Sequence, residues 1–264
     1  MSINSYLEKL SNDLIIRDTE KSSIKTSIET LEKRLGYYFT NIEESFCFGS
    51  YTRGTILPRT ADSNSDIDYM IVFNNSLNYK PQTLLNHLKS FANLYYSSSE
   101  IFQSYPTLVL SLNHIKFELV PAYNSGIYVK DYKIPAPSTN YEDWISTDPN
   151  GFNINLTNKN KNNNFKIKPM IRLIKYWNAL NGYIYSSYEL EKHLINVYYS
   201  YFNTRLEQYF KEGVKSLPVN YHFSQTKKDK IENFKSSIDT IFYKESTGLP
   251  LTAELELRKI LPEL

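Results

Sequence analysis

The sequence predicts an α+β protein, a mixed sheet with flanking helices followed by a C-terminal helical domain. Three observations predict it. Apolar residues recur at helical spacing through the first forty positions, alternation replaces that spacing between about residues 44 and 122, and helical spacing returns after residue 165. Of the 264 residues, 41% are hydrophobic and 22% charged, which supplies a sizeable core and excludes wholesale disorder. The change of pattern places a boundary between residues 1–165 and 166–264.

Taken in order, Tyr6, Leu7, Leu10 and Leu14 share one helix face and Ile24, Ile28, Leu31 and Leu35 a second, with Gly36 marking the expected end of the second helix. Short strands follow: SFCF before Gly49-Ser50, then DIDYMIVF at 66–73. Leu84, Leu85, Leu88 and Phe91 predict a helix over 83–95. PTLVLSL and HIKFELVPA are separated by little more than Asn113 and read as a hairpin. Residues 134–165 are rich in Pro and Asn and read as loops, with NKNKNNN at 158–164 a flexible surface segment. Helices are then expected in KIKPMIRLIKYWNAL, in SSYELEKHLINVYYSYF, over about 227–242 and in AELELRKILPEL.

Several classes fall away. No apolar run approaches the length of a transmembrane helix, and MSINSYLEKLSND lacks the pattern of a signal peptide. Cys47, the one cysteine, has no internal disulfide partner, which together with the missing leader points to the cytoplasm. A net charge of +2 is too small for a protein that coats duplex DNA, although it allows a local basic cleft. The four histidines show no zinc-ligand spacing with one another or with Cys47.

Alternation along DIDYMIVF puts Asp66, Asp68, Met70 and Val72 on one strand face and Ile67, Tyr69, Ile71 and Phe73 on the other. Two carboxylates side by side repel unless a cation lies between them, and hard oxygen donors suit Mg²⁺ or Mn²⁺. Upstream, Gly49-Ser50 stands between a strand and a helix, where backbone N–H groups and a hydroxyl can cradle phosphate. In the helical half, Lys168, Arg172 and Lys175 form a basic stripe at i, i+4 and i+7.

Gly49-Ser50, Arg53-Gly54-Thr55 and Ser65-Asp66-Ile67-Asp68 together resemble the signature of the DNA polymerase β-like nucleotidyltransferases. Within that superfamily the chain is similar to the bacterial cyclic GMP-AMP synthase/DncV-like nucleotidyltransferases, the SMODS proteins of antiphage signalling, over most of its length. The resemblance implies the polymerase-β-like fold and a third metal-binding carboxylate on the later strand. Here that position is Glu118 in IKFELVPA, where the family usually has Asp. It further implies that Gly49, Ser50, Arg53, Lys175 and Ser187 hold the triphosphate of an NTP and that Tyr188 stacks on its base. Asp66, Asp68 and Glu118 would bind Mg²⁺ or Mn²⁺, and the product would be a cyclic di- or trinucleotide or a short oligonucleotide sensed by an effector protein encoded elsewhere. Two alternatives remain open at this stage: transfer of nucleotides to an RNA (tRNA) 3′ end, and a catalytically weak nucleotide-binding sensor, the latter prompted by Glu118.

Overall fold

Capping and apolar spacing set the first elements. The Ser2 hydroxyl accepts from the Ser5 N–H and opens α1 (Ile3–Asp13), which buries Ile3, Tyr6, Leu7 and Leu10. In the computed structural model, residues 2–75, 77–104, 106–126, 128–136 and 143–264 are described. Helix α2 (Asp18–Tyr38) continues past Gly36, where the sequence suggested a stop. Phe39 ends it instead, its ring packed against Phe73 and Phe91.

The sheet elements are β1 (Ile42–Cys47), the one-turn α3 (Gly49–Arg53), β2 (Asp66–Phe73), α4 (Pro81–Tyr95), β3 (Glu100–Ser104), β4 (Thr107–Ser111) and β5 (Lys116–Asn124), followed by β6 (Tyr132–Pro135) and β7 (Trp144–Thr147). Strand order is β1-β2-β5-β4-β3, with β6 extending from β5 and β7 pairing β6. The expected hairpin is β4 with β5, antiparallel. The central β2–β5 pair is parallel, which makes the sheet mixed. One face, carrying Ile67, Tyr69, Phe117 and Leu119, is fully buried, and the Tyr69 hydroxyl meets Glu32 of α2 at 3.2 Å. On the opposite face Met70, Val72, Ala122 and Tyr132 form a smaller apolar cluster with Phe46, Phe48 and Ile134.

The remaining helices are α5 (Pro149–Asn162), α6 (Ile167–Leu180), α7 (Ser187–Asn196), α8 (Leu206–Ser216), α9 (Gln225–Ser246) and α10 (Pro250–Ile260). The chain forms two compact units, neither of them a single stretch. A sheet unit holds residues 17–56 and 64–154, and a helical unit holds residues up to 16, 57–63 and 155–264. In the helical unit α1 packs on α6, α8 and α10, where the Tyr6 hydroxyl donates to the Leu261 carbonyl at 2.5 Å.

Other sequence expectations change as well. The segment 134–165 is not all loop: β7 and α5 lie within it, and 137–142 falls outside the described residues. The Asn-rich run continues α5 because Leu156 and Asn160, one turn apart, are both buried. The Asn160 side-chain oxygen accepts the Lys168 N–H at 3.0 Å, so a polar residue anchors where an apolar one was sought. The helix expected to run through Phe202 stops at Asn196, since the Tyr199 hydroxyl turns back onto the Leu194 carbonyl at 2.8 Å. Helix α8 was not anticipated. Its Gly213 lets it approach α6, for a Cβ there would lie 2.8 Å from the Met170 sulfur and 3.0 Å from Ile174 Cδ1.

Candidate active site

The acid face of β2 begins where the chain leaves a loop, so Asp66 and Asp68 are half-buried while Ile67 and Tyr69 between and beside them are sealed. The parallel register sets Asp66 beside Lys116 and Asp68 beside Glu118. Because side chains alternate in step on paired strands, Asp66, Asp68, Lys116 and Glu118 all share one face. Burial first, and then the Asp66 carboxylate through its charge and a hydrogen bond between the two, push the Glu118 carboxyl up to about 7. The Lys116 ammonium and the nearby Thr107 hydroxyl act the other way. The pair thus resists being ionised together, the usual response of two like groups forced close.

Gly49 completes this edge. Its φ of +70° is a left-handed conformation that glycine adopts without cost, and a Cβ there would overlap the Asp68 carboxylate. The preceding Phe48 N–H donates to the Asp68 carbonyl at 3.0 Å, so the strand-to-helix turn lies directly against the acid face. Ser50 is buried, and its carbonyl accepts from the N–H groups of Thr55 (3.0 Å) and Ile56 (3.1 Å), which fixes the loop after α3. Arg53 is also buried, its guanidinium 4.8 Å from the centre of the Phe152 ring. Within the sheet unit the structure thus brings Gly49, Asp66, Asp68 and Glu118 together, with Ser50 and Arg53 on the adjoining helix.

Lys175, Ser187 and Tyr188 belong to the helical unit. Helix α6 buries nearly its whole circumference, Met170 through Asn178, so its basic stripe is not a solvated one. Lys175 Nζ donates to Glu191 of α7 at 3.1 Å, and both side chains are buried. Arg172 Nε donates to the Ser11 carbonyl at 3.1 Å, and burial lowers the guanidinium to about 10. The cap of α7 is Ser186, whose hydroxyl accepts the Glu189 N–H, so Ser187 is the first helical residue and is exposed. Tyr188 is 52% exposed, with Lys192 Nζ 5.8 Å from the centre of its ring.

Sequence reasoning missed three participants. Lys116 was legible as the residue two before Glu118 on the same strand face. Glu191 and Thr107 were not, because their roles depend on which element packs alongside. Among the described residues, no three carboxylate, imidazole or thiol groups converge tightly enough to hold a metal ion as they stand. The Asp66–Glu118 pair nevertheless fits a divalent cation by donor chemistry. Both are hard oxygen ligands, and the repulsion between them when ionised is one that a cation would relieve.

The profile of the Second Messenger Oligonucleotide or Dinucleotide Synthetase domain matches residues 1–160. A cyclic AMP-AMP-AMP synthase of an Acinetobacter species is 25% identical over 142 residues, which is 52% of this chain and 40% of that protein. A probable cyclic nucleotide synthase of Bacillus cereus is 32% identical over 137 residues, 48% of this chain and 40% of its own length. The matches thus span less than half of these two relatives. Among solved structures, E. coli CdnC with ATP superposes with a TM-score of 0.70 at 14% identity, covering 97% of both chains. Bradyrhizobium diazoefficiens CdnG, a CD-NTase in complex with GTP, gives 0.70 at 10% identity over 97% of this chain and 98% of that one. At such identities these two share the fold.

Proposed function

The chain belongs to the Second Messenger Oligonucleotide or Dinucleotide Synthetase domain family, and from that premise we propose that it is a nucleotidyltransferase joining NTPs into a cyclic di- or trinucleotide, or a short oligonucleotide, that signals in antiphage defence. The observation that carries this reading is the parallel β2–β5 register, with Glu118 beside Asp68 and Gly49 pressed on the Asp68 carboxylate. Asp66, Asp68 and Glu118 would hold Mg²⁺ or Mn²⁺, which when bound supplies charge neutralisation at the reacting phosphates and acidifies an attacking 3′-hydroxyl. The chain's own groups do the rest. In the sheet unit the backbone of Gly49 and Ser50 would approach the triphosphate closely and Arg53 would add charge; in the helical unit Ser187 would hold a terminal phosphate and Tyr188 would stack on the base, and Lys175 would reach a phosphate only by giving up Glu191. In this reading residues 1–165 carry the chemistry and 166–264 the nucleotide grip, and the product acts in the cytoplasm on a separate effector protein.

The test is incubation of the purified protein with each labelled NTP, singly and mixed, with Mg²⁺ or Mn²⁺, followed by phosphatase and separation of products. A phosphatase-resistant small product that is absent with Asp66→Ala/Asp68→Ala is the expected result. Extension of added RNA without a small product would replace this reading by RNA transfer, and NTP binding without pyrophosphate release would replace it by a nucleotide sensor.

A further inference from the structure

In the helical unit the ends of α6 and α10 and the first half of α9 border a cleft of about 460 Å³. None of the candidate active-site residues lines it, and its volume is that of a pocket for a small molecule. The floor is aromatic: the Trp177 and Phe234 rings stack with centres 4.1 Å apart and planes within 10° of parallel. Leu180, 48% exposed, and Ile260 form apolar walls. The rim is polar. Lys230, Asn233 and Ser237 reach it from one face of α9, at i, i+3 and i+7, and Lys259 reaches it from the last turn of α10. We propose that this cleft binds a small organic anion with a flat apolar body, at a site separate from the candidate active site and independent of the function proposed above.

Charge sets the sign of the ligand. Among the described residues no carboxylate lines the cleft, and none pairs with the Lys230 or Lys259 ammonium. Lys230 Nζ is held by one bond, donated to the Asn181 carbonyl at 2.9 Å, and an ammonium has three N–H donors. The other carbonyls at the end of α6, those of Trp177, Asn178 and Ala179, already accept from the N–H groups of Asn181, Gly182 and Tyr183. The helix end therefore takes up one donor of Lys230 and leaves the rest to face a ligand. The Asn233 amide and the Ser237 hydroxyl add neutral donors beside them. Shape sets the rest of the ligand. An inorganic anion would leave Leu180 and Ile260 against water, and a purely apolar molecule would strip water from two ammonium groups without replacing its bonds. An anionic group carried on a flat ring satisfies both halves of the cleft.

The test titrates the fluorescent anion anilinonaphthalene sulfonate into the full chain, with the neutral phenylnaphthylamine alongside and thermal melts as a control on folding. Wild type should bind one equivalent of the anion and hold the neutral molecule about tenfold more weakly. Lys230→Gln/Lys259→Gln should weaken the anion about tenfold and leave the neutral molecule unchanged. Ser237→Phe, which fills the cleft from α9, should block both. Competition by naphthoate and by naphthyl phosphate then identifies the preferred head group as a carboxylate or a phosphate. The inference fails if wild type binds no anion, if both variants bind it as wild type does, if the neutral molecule binds as tightly, or if neither competitor displaces it. In each of those cases the proposed function stands, since no residue of the cleft takes part in it.

Discussion

The carboxylates of the sheet unit and the Lys175–Glu191 pair of the helical unit handle charge in opposite ways. On the sheet, two acids of the same sign are pressed together, half-buried, and one holds a proton up to about 7. Between α6 and α7, opposite charges meet at 3.1 Å with both groups sealed from water. A buried pair with its partner in place is a finished arrangement, and breaking it leaves a stranded charge. A cluster of like charges is unfinished, costing stability until a cation joins it. That difference separates a site from a strut, even though all four residues are ionisable and at least half-buried.

The largest effect should come from emptying the unfinished cluster. Asp66→Asn/Asp68→Asn is expected to reduce product formation by on the order of a thousandfold or more while leaving the melting temperature within a few degrees. Retained activity would mean that the sheet carboxylates are not the site. The strut should respond the other way, in stability. Glu191→Ala leaves the Lys175 ammonium buried and unpaired, and urea unfolding should register a loss of about 3–5 kcal/mol. Lys175→Met/Glu191→Leu should recover most of it, and failure to do so would assign Glu191 a role beyond the pair.

A smaller loss is expected where the helical unit depends on packing alone. Gly213→Leu must displace Met170 and Ile174, so it should cost about 2 kcal/mol in the same measurement. An unchanged midpoint would show that α8 is free to move away from α6. The smallest effect is a gain. Because the Glu118 carboxyl titrates higher in the folded chain than the ordinary glutamate, the native state holds the proton more tightly than the unfolded state. Its penalty is absent below the ordinary glutamate range, grows as pH rises toward about 7, and is complete above that. Glu118→Gln, neutral throughout, should therefore stabilise the metal-free protein by about 1–2 kcal/mol at pH 8 and by nothing at pH 4. Magnesium should narrow the difference at pH 8 by stabilising wild type alone.

Legibility in the sequence followed length and period. DIDYMIVF became β2 at the expected residues because eight alternating positions with β-branched and aromatic side chains leave little ambiguity. KIKPMIRLIKYWNAL became α6 for the matching helical reason. Strands β3, β6 and β7 escaped notice, since they are short and, unlike the five-residue β4, carry no continuous apolar run. Helix α5 escaped because a polar residue, Asn160, occupies an interior position that pattern reading reserves for apolar ones. The basic stripe of α6 was visible as a stripe, but its burial was not.

By itself the sequence determined the type of the long elements, the face on which Asp66 and Asp68 project, and the glycine at the turn before them. These follow from local rules: side-chain alternation, helical spacing, and the backbone freedom of a residue without a Cβ. Only the tertiary structure decided that Glu118 stands beside Asp68, that Glu191 neutralises Lys175, and that α1 packs with the C-terminal helices. Each of those depends on which strands pair, in what direction and register, or on which helices meet. A one-residue slip between β2 and β5 would put Glu118 on the opposite face without changing the pattern of either strand. Register is set by packing across the whole core, so no local period can carry it.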